Sequence, residues 1–250
     1  MSEPVHAAIL AAGLSSRFGG TQKALHRLGD ATLLERTLRH LRGAGLASVT
    51  VVTGHGNDAV ERALGSEIAT LHNARYAEWN NFHSVELACE QLPPGDVLVV
   101  NGDVVFARAA LDAVLAPAHA DFYLGVSDGE VDDEAMKAEV AGQRVVALGK
   151  SIPAERAAGE FIGISRLTPD ARAWYRTLAR WGSDRGLTGQ YYEDVYDGLC
   201  RNLVGLRCEV DDADWAEIDD VADLERAQAV AARVDAPDSS APTRSEAPPA

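Results

Sequence analysis

Val5-His6-Ala7-Ala8-Ile9-Leu10 runs directly into Ala11-Ala12-Gly13-Leu14-Ser15-Ser16-Arg17-Phe18-Gly19, and shortly afterwards comes Gln22-Lys23-Ala24-Leu25. A short apolar run ending in a Gly- and Ser-rich turn reads as a buried strand feeding a loop. Such a loop, after the first strand of a parallel sheet, leaves backbone N–H groups free to cradle a phosphate chain. Gly13 lets the backbone approach a ligand, while Arg17 and Lys23 supply cations that reach phosphate oxygens. An ordinary strand-to-helix connection is the competing reading of the same stretch. A dinucleotide fingerprint is excluded, because G-x-G-x-x-G is absent and Thr53-Gly54-His55 places no acid after the second strand. Gly149-Lys150-Ser151 is not a P-loop, since Arg144 stands where that motif requires Gly.

Outward from this stretch, strands and helices alternate. Thr32-Leu33-Leu34-Glu35 fits a capping box that opens a helix with Leu34, Leu38 and Leu41 on one face, stopped by Gly43 and Gly45. Ser48 to Thr53 supplies a second strand, Asn57 caps a helix through Leu64, and Ile68 to Leu71 gives a third strand. A helix over Asn81 to Gln91 ends before Pro93-Pro94, and the apolar run Asp96 to Asn101 forms a fourth strand. Strands separated by helices and apolar on both faces indicate a parallel α/β sheet. From residue 121 the pattern changes. Phe122 to Val126, Met136 to Val140, Arg144 to Leu148 and Phe161 to Ser165 read as strands without intervening helices, so the same sheet is extended in antiparallel or mixed fashion. Helices follow over Pro169 to Trp181 and Tyr191 to Cys200, then a strand over Leu206 to Val210 and a helix over Val221 to Val234. The expected architecture is a single doubly wound α/β domain with a mixed sheet, residues 1–234. Residues 235–250, rich in Pro, Ala and Ser without periodicity, read as a disordered tail.

Composition narrows the function. The 250 residues carry 23 basic and 38 acidic side chains, a formal net charge of −15, which argues against nucleic acid or an anionic membrane as the main partner. No apolar run is long enough to span a membrane, and Met1 to Pro4 is too short and acidic for a signal peptide. Cys89, Cys200 and Cys208 read as free thiols of a reducing cytoplasm. Only Lys23, Lys137 and Lys150 are lysines in a chain otherwise supplied with arginine, which points to positions where a compact ammonium is needed, with drift under a codon bias as the alternative.

Further motifs follow in order. Leu-Ala-Ala-Gly-x-x-Ser-Arg-Phe with its downstream Lys resembles the signature of nucleotidyltransferases of the sugar-nucleotide pyrophosphorylase type. After it come Asn73-x-x-Tyr76-x-x-x-Asn80-Asn81-x-x-Ser84, Asn101-Gly102-Asp103-Val104-Val105-Phe106 and Met136-Lys137. Then come Gly149-Lys150-x-Ile152, Gly159-Glu160-x-x-Gly163-Ile164, Tyr192-Glu193-Asp194-Val195 and Trp215-x-Glu217-Ile218-Asp219. Together they resemble the bacterial CTP:phosphocholine and CTP:phosphonoalkyl cytidylyltransferases, including the 2-aminoethylphosphonate enzymes, over residues 5 to about 230. Against the wider family the loop is compressed between Gly19 and Lys23, and Gln22 stands where Pro commonly precedes the Lys.

The resemblance implies a nucleotide-diphospho-sugar-transferase-like fold and a set of roles. Arg17, Lys23 and Asp103 are the expected catalytic residues. Leu10, Ala11, Ala12, Gly13, Ser15, Ser16, Asn81, Ser84 and Gly102 are expected around the nucleotide, although Asn81 could simply cap its helix. Met136, Lys137, Lys150, Glu160, Tyr192, Asp194 and Glu217 are expected around the second substrate. Glu193, Asp194 and Glu217, with Tyr191 and Tyr192, suit an ammonium head group. Choline-type enzymes of the family carry an aromatic residue near Met136, and this chain has none there. Asp103, at the end of a buried strand, and Asp219 are the expected carboxylates for one Mg²⁺, a hard cation that takes few protein ligands. A lone Asp at position 103 could instead cap a turn. The acidic run Asp128, Glu130, Asp132, Asp133, Glu134 lacks the order of a calcium loop and reads as a solvated turn.

The implied activity joins CTP to a small phosphonate or phosphate monoester, with pyrophosphate released, in the cytoplasm; the sequence leaves a homodimer open. The alternatives are a molybdopterin-type or sugar-phosphate nucleotidyltransferase, a non-catalytic nucleotide-binding regulator, and an interaction protein. Asn80-Asn81 to Ser84 argues against the first, and joint retention of Arg17, Lys23, Asp103 and Asp219 argues against the second.

Overall fold

The opening apolar run forms β1 (Val5–Ala11), in which Ala7, Ala8 and Ile9 are fully buried. The structure, a computed structural model, describes residues 3–15, 22–116, 119–220 and 222–235. After β1 come the short strands β2 (Arg27–Leu28) and β3 (Ala31–Thr32), α1 (Leu33–Arg42), β4 (Ser48–Thr53), α2 (Asn57–Leu64) and β5 (Ala69–His72). The middle of the chain gives α3 (Phe82–Gln91), β6 (Asp96–Asn101), β7 (Val104–Phe106), α4 (Arg108–Leu115) and β8 (Phe122–Ser127). β9 (Lys137–Ala141), β10 (Arg144–Gly149), β11 (Gly159–Leu167), α5 (Pro169–Ser183) and α6 (Tyr192–Cys200) follow. The chain continues through β12 (Gly205–Val210) and β13 (Trp215–Glu217) to α7 (Leu224–Asp235).

Nine strands form one sheet in the order β5-β4-β1-β6-β11-β8-β12-β10-β9. β5, β4, β1 and β6 are mutually parallel, and β11 enters antiparallel between β6 and β8. β12 is parallel to β8, and β10 and β9 close the edge antiparallel. This is the mixed extension expected from the helix-free run after residue 121, joined to the parallel strands in one α/β sheet. Because side chains alternate across a strand, β6 feeds both faces. Val97 and Val99 pack under α3, α5 and α6 with Phe82, Val85, Tyr175 and Tyr196, while Leu98 and Val100 pack under α1 and α4 with Leu34, Leu38, Leu111 and Val114.

Local signals set the element ends. The Thr32 hydroxyl accepts from the Glu35 N–H and the Glu35 carboxylate accepts from the Thr32 N–H, at 3.1 and 2.7 Å, so the capping box of α1 is complete. Several expectations are corrected. Gly56, in the left-handed region, is the N-cap of α2, while the Asn57 side chain accepts from the Thr53 hydroxyl. β5 starts one residue later than expected. The last helix starts at Leu224 and includes Asp235, the residue expected to open the tail; residues 236–250 lie outside the described residues. No signal read from the sequence pointed to α4 or to the pairing of β7 with β13.

That pairing positions the site. β7 and β13 form an antiparallel ribbon, Val104 opposite Glu217 and Phe106 opposite Trp215, and the Ile218 N–H donates to the Asp103 carbonyl at 3.0 Å. A third apolar cluster, with Leu28, Val105, Ile218 and Val230, clamps the ribbon under α7.

Candidate active site

Beyond the carboxyl ends of β1 and β6 lies a cavity of about 640 Å³, where open α/β sheets ordinarily bind ligands. One wall is the loop after β1. Gln22, 5 % exposed, sends its side-chain amide to the carbonyls of Ala11 (3.0 Å), Gly13 (3.2 Å) and His55. These contacts tie Gln22 to the end of β1, to Gly13 and to the segment after β4. Ser15 takes up a left-handed conformation (φ 50°), uncommon for a residue with a side chain, and its hydroxyl accepts from the Lys23 N–H at 3.0 Å. Leu10, Ala12, Gly13, Ser15 and Lys23 all line the cavity. Ser16 and Arg17 lie outside the described residues.

The floor is acidic. Asp103 follows β6, and the β7–β13 ribbon brings Glu217 and Asp219 beside it, with one carboxylate oxygen from each of the three within 4.8 Å of the others. The Asp219 N–H and Asp220 N–H donate to the Asp223 carboxylate at 2.6 and 2.8 Å, which fixes the turn after the ribbon. The Lys23 ammonium reaches into this cluster, 2.7 Å from Asp219 and 3.5 Å from Asp103. Burial lowers the Lys23 pKa, but Asp103, Asp219 and Glu217 outweigh it and the net shift is upward. Burial raises Asp103, Lys23 opposes, and Asp219 adds to the rise. Glu217 is driven well above the usual carboxylate range by burial and then by Asp103 and Asp219. Three carboxylates offering oxygens to a common point suit a hard divalent cation, and a lysine ammonium already lodged between two of them shows that the point accepts positive charge.

The facing wall is collected from distant segments. Met136, Lys150, Glu160, Tyr191 and Glu193 line it together with Trp79, Asn80, Asn81 and Ser84. Asn81 precedes α3 but makes no side-chain cap; its carbonyl oxygen instead accepts from the Tyr192 N–H at 2.9 Å. Asn80 donates from its side chain to the Gly189 carbonyl (3.0 Å) and from its backbone to Thr188 (2.9 Å). The Asn pair therefore fastens the start of α3 to the segment leading into α6. Ser84 is buried and its hydroxyl accepts from Asn73 at 3.0 Å. At β11, Gly163 has φ +76° and a Cβ there would lie 2.6 Å from the Asn101 side chain, so the register shift against β8 between Phe161 and Ser165 needs a residue without one.

Five residues expected at the site do not line the cavity. Lys137 is 2 % exposed and donates to the carbonyls of Lys150 (2.9 Å) and Ala135 (3.5 Å), so its ammonium holds the β9–β10 edge together. Tyr192 is fully buried and its hydroxyl donates to Asn101 at 2.9 Å. Asp194 points outward and accepts from the Tyr191 N–H at 2.7 Å as part of the α6 cap. Gly102 packs on β1, its N–H donating to Leu10 at 3.0 Å, and a Cβ would lie 2.4 Å from that carbonyl. Ala11 is buried in β1. Glu134, expected in a solvated turn, lines the cavity and pairs with Lys150 at 3.0 Å. Gln22 and the place of Glu217 in the carboxylate cluster were not foreseen. The departure from Pro at position 22 was the signal for the former; the latter depends on a strand pairing with no local signature.

Residues 7–188 match the family described as MobA-like NTP transferase domain. The chain is 32 % identical over 245 residues to CMP-5'-(3-aminopropyl)phosphonate synthase of Streptomyces rubellomurinus, covering 90 % of this chain and 38 % of that protein. It is 34 % identical over 124 residues to choline-phosphate cytidylyltransferase of Haemophilus influenzae, covering 48 % of this chain and 52 % of that one. The chain thus spans about half or less of the length of these curated relatives. In fold it resembles the inositol-1-phosphate CTP transferase from T. maritima, with a TM-score of 0.76 at 21 % identity over 92 % of this chain and 97 % of that one. The CTP:phosphocholine cytidylyltransferase from Streptococcus pneumoniae gives 0.72 at 20 % identity over 91 % and 99 %. Among the described residues no helix is long and apolar enough to cross a membrane.

Proposed function

We propose, from the premise that this chain belongs to the MobA-like NTP transferase family, that it is a cytidylyltransferase joining CTP to a small phosphonate or phosphate monoester. The observation that carries the reading is Lys23 set against Asp103 and Asp219 at the carboxyl ends of β1 and β6. Relatives whose names include CMP-aminopropylphosphonate synthase and choline-phosphate cytidylyltransferase support the choice of CTP and of the acceptor class.

In this reaction an oxygen of the acceptor phosphonate attacks the α-phosphorus in line. The new P–O bond forms as the bond to the bridging oxygen breaks, and pyrophosphate departs with the electron pair. The attacking oxygen is already ionised at neutral pH, so positioning and charge neutralisation supply the rate and no general base is needed. The Ala12–Ser15 backbone cradles the phosphates, and Lys23, with Arg17, meets the charge that builds on the leaving group. Asp103, Glu217 and Asp219 would hold Mg²⁺, which when bound neutralises phosphate charge. Lys23, 2.7 Å from Asp219, would exchange that contact for phosphate oxygens.

The test is pyrophosphate release from each of CTP, UTP, GTP and ATP against a panel of phosphonates and phosphate monoesters, with Mg²⁺ and with EDTA. Turnover with CTP at least roughly tenfold above the others is expected, a discrimination that a few pocket contacts provide. Equal use of a purine triphosphate overturns the cytidylyltransferase reading, and undiminished activity in EDTA removes the metal from it.

A further inference from the structure

Four tryptophans stand in the chain, and two of them, Trp174 and Trp181, face outward from α5, 40 % and 52 % exposed. Tryptophan is highly buried on average, so two outward-facing rings on one helix mark an apolar surface without a partner. Seven residues apart, they share one face of the helix, with the partly buried Leu178 between them. Gly198 of α6 leaves room for that leucine: a Cβ there would lie 3.0 Å from Leu178 Cδ1. The same face runs on to Asp170 in the first turn and to Arg185 just past the last. Arg185 sets its guanidinium 4.3 Å from the Trp181 ring centroid.

The charges of α5 divide in the same way. Arg176 and Arg180 turn toward α3, where both meet Glu90, and Arg172 is buried on backbone carbonyls that include Cys89 and Gly95. Asp170 and Arg185, both exposed, make no ion pair among the described residues; the Arg185 guanidinium donates only to the Trp181 carbonyl, at 3.1 Å. From Pro169 to Arg185 four arginines stand against two aspartates, in a chain of net charge −15. Two copies of so acidic a chain repel each other least across this helix.

The stripe is complementary to itself. Two α5 helices laid antiparallel about a two-fold axis between Thr177 and Leu178 bring position 174 opposite 181 and position 170 opposite 185. Each Trp174 then meets the partner's Trp181 and each Asp170 the partner's Arg185, so the aromatic and the charge contacts both form twice. Antiparallel packing also sets the two helix dipoles head to tail. Trp and Arg are the side chains enriched at the buried centre of protein interfaces. We propose that this face of α5 binds a second copy of the chain, in a two-fold dimer centred on Thr177 and Leu178. The proposal does not depend on the reaction the chain catalyses. Past Arg185 the chain continues through the exposed Leu187 to Thr188, Gly189 and Tyr191 of the cavity wall, so the ends of the paired helices lie beside the site.

Sedimentation velocity of the full chain over a range of concentrations tests it. A dimer with a dissociation constant of about 10 µM or tighter is expected. Replacing both tryptophans, Trp174→Ala with Trp181→Ala, should weaken it by at least about thirtyfold, the scale of aromatic anchors at the centre of an interface. Asp170→Arg and Arg185→Asp should each weaken it by at least about tenfold, because like charges then face each other twice. An equimolar mixture of these two variants should dimerise as the wild type does, since each supplies the charge that the other's reversal calls for. That recovery also shows both variants to be folded. A wild type still monomeric at about 100 µM overturns the proposal and leaves the face to some other partner. A dimer that keeps its affinity without the two tryptophans uses another surface and overturns it as well. Charge reversals without effect, or a mixture as weak as its components, overturn the pairing of 170 with 185 and the proposal with it.

Discussion

The wall that carries Gly13, Ser15 and Lys23 comes from one short stretch of chain, whereas the wall opposite borrows from Met136 before β9, Lys150 after β10, β11, the Thr188–Tyr191 segment, α6 and the start of α3. The first is held by contacts within itself and to one neighbour: Gln22 to Ala11, Gly13 and His55, and Ser15 to Lys23. The second is held by ties between segments far apart in sequence, Asn80 to Gly189, Asn81 to Tyr192 and Lys137 to Lys150. The difference teaches where damage will spread. A change in the first wall should touch the handling of one substrate; a change in the second should loosen packing as well as binding, because the same hydrogen bonds do both.

The carboxylates between the walls give the sharpest test. Asp103→Asn and Asp219→Asn should each lower Mg²⁺-dependent kcat by about 10³ or more, and the double variant should be little worse, since residues acting as one unit are strongly non-additive. Multiplicative losses across a Mg²⁺ titration would assign the two acids to different walls. Next comes Lys23→Ala, expected to lower kcat by roughly 10²–10³, the scale of one preorganised charge-stabilising donor. Lys23→Arg should recover only part of it, because a planar guanidinium does not replace a compact ammonium. Wild-type rates in both variants would dissolve the first wall as a functional unit.

Gln22→Ala leaves three carbonyls without their donor. It should raise the KM for CTP by about tenfold, the scale of one or two lost hydrogen bonds, with the acceptor KM unchanged. Lys137→Met is its counterpart across the cavity. The acceptor KM should rise by about threefold, and the melting temperature should drop by about 2–4 °C, as for a loss of ~1 kcal/mol in a domain of this size. If Gln22→Ala lowers the melting temperature as much as Lys137→Met does, the contrast between the walls fails.

The last effect is one of stability alone. Burial pushes the Glu193 carboxyl up to about 8 in the folded chain against an ordinary 4.5, so between these values the folded state holds a proton that the unfolded state has released. Its contribution is present in full below pH 4.5 and is lost as pH rises through 8. Glu193→Gln, which does not titrate, should therefore be more stable than wild type by about 1–3 kcal/mol at pH 7.5 and indistinguishable from it at pH 4. Thermal melts across that range check it, and a parallel pair of curves would refute it.

Which residues were legible in the sequence follows the same division. The loop after β1 could be read because strand, glycine, serine and lysine sit within a few residues of each other, and Asp103 because it ends an apolar run. Glu217 was read as an acceptor contact and lies in the carboxylate cluster, because the pairing of β7 with β13 is three residues long and carries no periodic signal. Tyr192 and Glu193 show the limit of a motif. Both belong to one stretch, yet the first side chain is buried with its hydroxyl on Asn101 while the second lines the cavity. Lys137 was assigned from its charge, but its first position on β9 turns the ammonium inward onto backbone carbonyls. Sequence shows that a polar residue is present; packing decides whether it serves a ligand or the fold.

The β7–β13 ribbon also fixes when the site can exist. All nine strands of the main sheet have been synthesised once Val210 leaves the ribosome, but Asp219 and the α7 residues that clamp the ribbon come later. At roughly 5–20 residues per second, domains begin to fold as they emerge, so the sheet can close around Lys23 and Asp103 before their third partner is made. Two of the three carboxylates, Glu217 and Asp219, follow the whole sheet in sequence, so a product ending at Val210 would hold every strand of that sheet and only Asp103 of the acid cluster.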